Sequence, residues 1–155
     1  MKELNEYRTH LIDKLLASAK EFREVCLAVK EPFMPLEEGG WNVHQIAAHT
    51  RDVFQLVYGL RAKRTAEEEN PKFQNFDGLG YAREHYEPSE SLKAMLDGFV
   101  KNVEELVSRL RTFSAETWSR VSRHEKLGSG LTLQLWVERG LAHIQEHLET
   151  VRNAK

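Results

Sequence analysis

The sequence predicts an all-α protein, a four-helix bundle, and three observations predict it. Apolar residues recur at three- and four-residue steps along nearly the whole chain, which is the period of one helix face. Only four prolines interrupt 155 residues, and they cluster with glycines at a few breaks. No stretch shows the alternation of a half-buried strand, no strand pairing is expected, and no internal repeat is evident.

The first helix carries Leu4, Arg8, Leu11, Leu15, Ser18, Phe22, Val25 and Val29 on one stripe, with Arg8 and Ser18 as its polar members. Pro32, Pro35 and Gly39-Gly40 end it. A second helix starts after Trp41, where Asn42 and Gln45 have capping-box spacing. Its stripe is Ile46, Val53, Val57 and Leu60, and Asn70-Pro71 predicts a stop near Glu69. From Asn70 to Pro88 the chain is least regular, with Gly78, Gly80, Phe73, Phe76, Tyr81 and Tyr86, and reads either as a lid or as a crossover whose aromatics cover the bundle. The third helix runs through Leu92, Met95, Leu96, Phe99, Val103, Leu106 and Leu110, with Ser89 or Ser91 as its cap. A short turn is expected at Ser114–Trp118 and a loop from Arg123 to Gly130. Thr132 then caps a last helix bearing Trp136, Gly140, Ile144 and Val151.

The length suits one domain over residues 1–155. A net charge of −2 gives no polyanion-binding signal, so no nucleic-acid partner is expected, and Arg61-Ala62-Lys63-Arg64 followed by Glu67-Glu68-Glu69 reads as a solvated helix end. No segment has the roughly 20 apolar residues of a membrane span. The acidic N-terminus lacks a hydrophobic signal core, which predicts a cytoplasmic protein. One cysteine, Cys26, excludes an internal disulfide and a Cys-rich zinc site, and its place on the first stripe predicts a core thiol.

The chemistry lies in three histidines. His143 and His147 stand four residues apart, close enough on one helix face to share an ion. His49 follows Ile46 by three and precedes Val53 by four, so it falls on the buried stripe of the second helix. Gly140, one turn before His143, leaves room for a ligand or for a close helix approach. Three neutral imidazoles plus an open position make a catalytic zinc-type centre. Each histidine can equally be read as a satisfied core residue, since a buried imidazole needs only a partner.

Other chemistries fit less well. His143-Ile144-Gln145-Glu146-His147 matches an inverted zinc-protease pattern with Glu146 as base, but only eight residues follow and Glu146 is turned about 100° from His147. No histidine has a Glu three residues before it, which removes a di-iron carboxylate site. Leu127-Gly128-Ser129-Gly130 lacks the spacing of a nucleophile elbow. His44 falls on a different face from His49, and His10, His85 and His124, at polar or loop positions, are expected at the surface, with approach of His124 or His85 to the site from a loop as the alternative. Asp52, one turn after His49, is either a solvated helix acid or a carboxylate orienting an imidazole.

Trp41-Asn42-Val43-His44-Gln45-Ile46-Ala47-Ala48-His49 and Leu141-Ala142-His143-Ile144-Gln145-Glu146-His147 resemble two motifs of the DinB/YfiT-like family of four-helix metal-binding proteins. The resemblance spans essentially the whole chain and departs at Thr50, where the family usually has Leu. It implies an up-down-down-up bundle with a long crossover between helices two and three, placed here at Asn70–Pro88. It implies His49, His143 and His147 as ligands of a divalent metal, zinc or nickel, and a homodimer. It also implies a small-molecule substrate and either hydrolysis or S-transfer from a low-molecular-weight thiol. The alternatives are a non-enzymatic helical dimer with structural histidines and a metal-binding protein without turnover.

Overall fold

The three- and four-residue apolar steps fold into four long rods, seen in a computed structural model that describes residues 1–154. The rods are α1 (Lys2–Ala28), a composite rod of α2 (Val43–Val53), a π-helical turn (Phe54–Tyr58) and α3 (Gly59–Glu67), then α5 (Leu92–Leu110) and α7 (Leu133–Asn153). Between them lie β1 (Lys72–Phe73), α4 (Gly78–His85), α6 (Ala115–Trp118), β2 (Val121–His124) and β3 (Gly128–Thr132). α1 packs on α5 and α7, while the composite rod closes the bundle by packing α2 on α5 and α3 on α7. Phe22 from α1, Phe99 from α5 and Trp136 from α7 are fully buried at the centre. Each such side chain contributes about 2–3 kcal/mol of transfer free energy. Arg8 and Ser18 share the buried face, as their spacing predicts, and Arg8 Nε donates to Gln134 Oε1 at 2.8 Å.

The caps form where the sequence places them. Asn42 and Gln45 make the full capping box, and Ser91, Ser114 and Thr132 accept from the backbone N–H three residues on. This fixes where α2 and α7 begin and therefore which way their later side chains point.

Three expectations need correction. The second rod ends at Glu67, close to the expected stop, but its stripe does not include Leu60, which is 41% exposed. The cause is the π-helical turn, in which the Gly59 N–H donates to the Phe54 carbonyl, five residues back. One extra residue in the turn shifts the phase of everything beyond it. Leu60 swings out, and Arg61 and Ala62 turn in. Asn70–Pro88 serves as the crossover, yet it holds a strand and a helix. Arg123–Gly130 is not a loop. β2 and β3 form an antiparallel hairpin, with Val121 opposite Thr132 and His124 opposite Gly128, and β1 pairs parallel to β2. Two-, four- and five-residue strands are too short for a period to emerge from sequence, and Gly128 and Gly130 adopt positive φ inside the third. The hairpin is tied to the bundle by the Trp136 indole N–H, which donates to Ser122 Oγ at 2.8 Å.

Candidate metal centre

The capping box starts α2 at Val43, so His49 emerges near its middle, toward α7. Across from it, α7 presents His143 and His147 one turn apart. The rods come close because Gly140 has no side chain: a Cβ there would lie 3.1 Å from Tyr58 Cβ. Of the two uses foreseen for Gly140, the close helix approach is the one realised. His49 thereby meets the pair, with ring centroids 5.2 Å from His143 and 5.0 Å from His147.

One ring nitrogen of each histidine lies within 4.8 Å of the others, and the Nε2 atoms of His143 and His147 are 3.1 Å apart. Two nitrogens bound tetrahedrally to one zinc-like ion stand about 3.3 Å apart, from bond lengths of about 2.0–2.1 Å. The observed spacing therefore suits a shared cation. The electrostatics agree. Burial, then the neighbouring imidazoles, pushes His143 down to about 3, and burial with His49 takes His147 to about 4. His49 is lowered by burial, partly opposed by Asp52 and Glu146. All three are neutral near pH 7, the protonation state a metal requires.

The surroundings shape the cluster. The Trp41 ring meets His49 edge-on, with centroids 5.1 Å apart, and a Cβ on Gly78 would stand 3.2 Å from His49 Cε1. The start of α4 thus rests on the His49 ring, held by Asp77, whose carboxylate accepts from the Gly80 N–H. Asp52 is neither of the two things expected of it. It is half-buried and ion-paired with Arg51, which also reaches Glu90, and it acts on His49 only through its charge. Glu146 is exposed, as its place on the helix requires. A cavity of about 220 Å³ opens on the Trp41 and Asp52 side of His49. A larger one, about 610 Å³, is bordered by His49, His143 and Tyr58 and extends toward the hairpin.

The remaining histidines divide sharply. His44 is 1% exposed and hydrogen-bonded at both nitrogens: Nε2 donates to the Glu90 carbonyl at 2.7 Å, and Nδ1 accepts from the Tyr86 hydroxyl at 2.6 Å. His10 and His85 are exposed, as expected. His124 is not a surface residue: it is 6% exposed, on the inner face of β2, and borders the larger cavity. Cys26 is a fully buried core thiol, pushed by burial up to about 12.

The sequence profile of the DinB superfamily matches residues 3–151. The chain belongs to the DinB superfamily. Among solved structures it is similar to YfiT from Bacillus subtilis, described as a probable metal-dependent hydrolase with an unusual four-helix bundle topology. The two share 18% identity at a TM-score of 0.86, covering 96% of this chain and 86% of that one, which shows a common fold. No curated protein matches the chain. Within the DinB bundle, Thr50 is fully buried and bonds its hydroxyl to the Ile46 carbonyl at 2.8 Å, so a polar side chain is accommodated beside His49 without an open polar group. His124, which the sequence allows to approach the site from a loop, borders the cavity beside the cluster from a hairpin strand, whereas Arg61 and Tyr58 carry no sequence signal for that place, because a π-helical turn brings them there. No helix among the described residues is long and apolar enough to cross a membrane.

Proposed function

We propose that this DinB-superfamily chain is a divalent-metal-dependent enzyme acting on a small electrophilic substrate. His49, His143 and His147 would hold one transition ion, zinc or nickel. The observation that carries the reading is the convergence of three neutral, half-buried imidazoles from two rods, with spacing suited to one cation. An ion held by three imidazoles leaves a position open, brings a bound water or thiol toward neutral pKa and polarises a carbonyl.

The chain's own residues do the rest. Trp41 and Gly78 fix the His49 ring from two sides, and Gly140 sets the distance between the rods. The cavity beside the cluster admits a molecule of ordinary metabolite size. With water as the nucleophile the reaction is hydrolysis; with a low-molecular-weight thiol it is S-transfer. The description of YfiT as a probable metal-dependent hydrolase supports the first, and the cavity has room for either.

Elemental analysis of untagged protein tests the reading. About one zinc or nickel ion per chain is expected, with most of it lost in His143→Ala. Absence of any ion after soaking in either metal would leave the imidazoles as structural groups. In the loaded protein, consumption of a small thiol together with an electrophile identifies S-transfer, and turnover without thiol identifies hydrolysis.

A further inference from the structure

The larger cavity has a chemical polarity of its own. Arg61, Lys126 and Arg139 line it from α3, the hairpin turn and α7, while Asp77 is the one carboxylate in its wall among the described residues. Among the described residues, none of these three cations is ion-paired with a carboxylate. The nearby acids are engaged at backbone sites: Asp77 accepts from the Gly80 N–H, and Glu125 from the Asn75 N–H.

Arg61 is the decisive group. It is only 7% exposed, and its protein partners are neutral: the Gln74 carbonyl, 3.0 Å from Nη2, and the faces of Trp136 and Phe73, 4.8 and 5.6 Å from the guanidinium carbon. Burying a guanidinium without an anion is costly, and packing on ring faces offsets only part of that cost. Burial acts against its protonated form, opposed in part by Tyr58 and reinforced by the charge of Arg139. Cations brought together without counter-charges indicate a site for an external one.

His124 adds a directed donor. Its Nδ1 accepts from the Lys126 and Leu127 backbone N–H groups at 3.0 and 3.1 Å. The proton of the neutral ring is therefore on Nε2, which bonds to no described residue although the side chain is almost wholly buried and borders the cavity.

We infer that the molecule processed at the histidine cluster is a small organic anion, whose carboxylate or phosphate group is held by Arg61, Arg139, Lys126 and the His124 Nε2–H while its reactive end faces the three imidazoles. The inference rests on the proposed function for the identity of the reactive end, but the anion site itself stands without an ion.

Calorimetric titration of the metal-free and the nickel-loaded protein with succinate, inorganic phosphate and neutral succinamide, at matched ionic strength, separates the two. Succinate or phosphate is expected to bind the metal-free form at least tenfold more tightly than succinamide, and the stronger of the two names the oxyanion class. Arg139→Gln combined with Lys126→Gln removes exposed, unpaired charges, so the fold is retained. It should abolish the preference and leave succinamide unchanged. Arg61→Gln should do the same, checked by circular dichroism because Arg61 packs on Trp136. Equal binding of succinate and succinamide, no anion binding to the metal-free form, or an unchanged preference in the double variant would overturn the inference. A protein that binds succinate but takes up no ion retains the anion site and loses the metal reading; one that takes up an ion and ignores charge does the reverse.

Discussion

His44 and His49 stand five residues apart on the same helix, and their settings are opposite. His44 spends both ring nitrogens on the chain itself, donating to Glu90 and accepting from Tyr86, and so ties the start of α2 to the segment leading into α5. His49 has no hydrogen-bonding partner among the described residues; its ring stands among Trp41, His143 and His147. Burial does not distinguish a histidine bonded to the chain from one left without a partner, since His44 is the more buried of the two. What distinguishes them is whether the polar atoms are already used.

The contrast can be tested from its largest consequence downward. Zinc or nickel at about a thousand times its dissociation constant should stabilise the parent protein by about 4 kcal/mol. For a chain of this size that raises Tm by about 10 °C, read by thermal denaturation with and without chelator. The gain should vanish in His143→Ala. A metal-induced rise that survives this substitution would place the ion elsewhere.

Next in size is the structural partner. His44→Ala leaves the Tyr86 hydroxyl and the Glu90 carbonyl without their bonds and opens a void, at a cost of about 2–4 kcal/mol in urea unfolding. Metal content per chain should be unchanged. Loss of metal in this variant would erase the distinction between the two histidines.

The smallest effect is a dependence on pH in the metal-free protein. His143 and His147 are held far below 6.5 in the fold, to about 3 and about 4, whereas the unfolded chain takes up protons near 6.5. The unfolded state therefore binds more protons between those values, and stability is lost as pH falls below about 6.5. Between pH 7 and 5 the loss should be about 1 kcal/mol per histidine, after allowance for partial solvent access. Urea midpoints that stay level over this range would show that the cluster is not desolvated as described.

The bundle and the cluster were legible for the same reason: both are written in helical period. The apolar steps, the Asn42 and Gln45 box and the caps at Ser91 and Thr132 are local signals, and all form as read except the step at Leu60. The convergence of His49 with His143 and His147 follows once two faces are known to be inward. The second wall of the cavity was not legible. His124 owes its burial to a hairpin whose strands contain positive-φ glycines and pair with a two-residue strand far away in sequence. The run Arg61-Ala62-Lys63-Arg64 looks like a solvated helix end in any composition count, yet Arg61 is turned inward.

That inward turn comes from the π-helical segment at Phe54–Tyr58. In an unbroken α-helix, two residues twelve apart, as His49 and Arg61 are, differ in direction by about 120°. Absorbing one residue into a wide turn brings them to within about 20°, so both look into the same cavity. The turn acts as a phase adjuster between two halves of one rod, the first carrying His49 and the second Arg61. Inserting one further residue between the turn and Arg61 would leave His49 and its partners in register and rotate Arg61 away by about 100°. A single-codon change in helix length would thus alter the charge lining the cavity while sparing the histidine cluster.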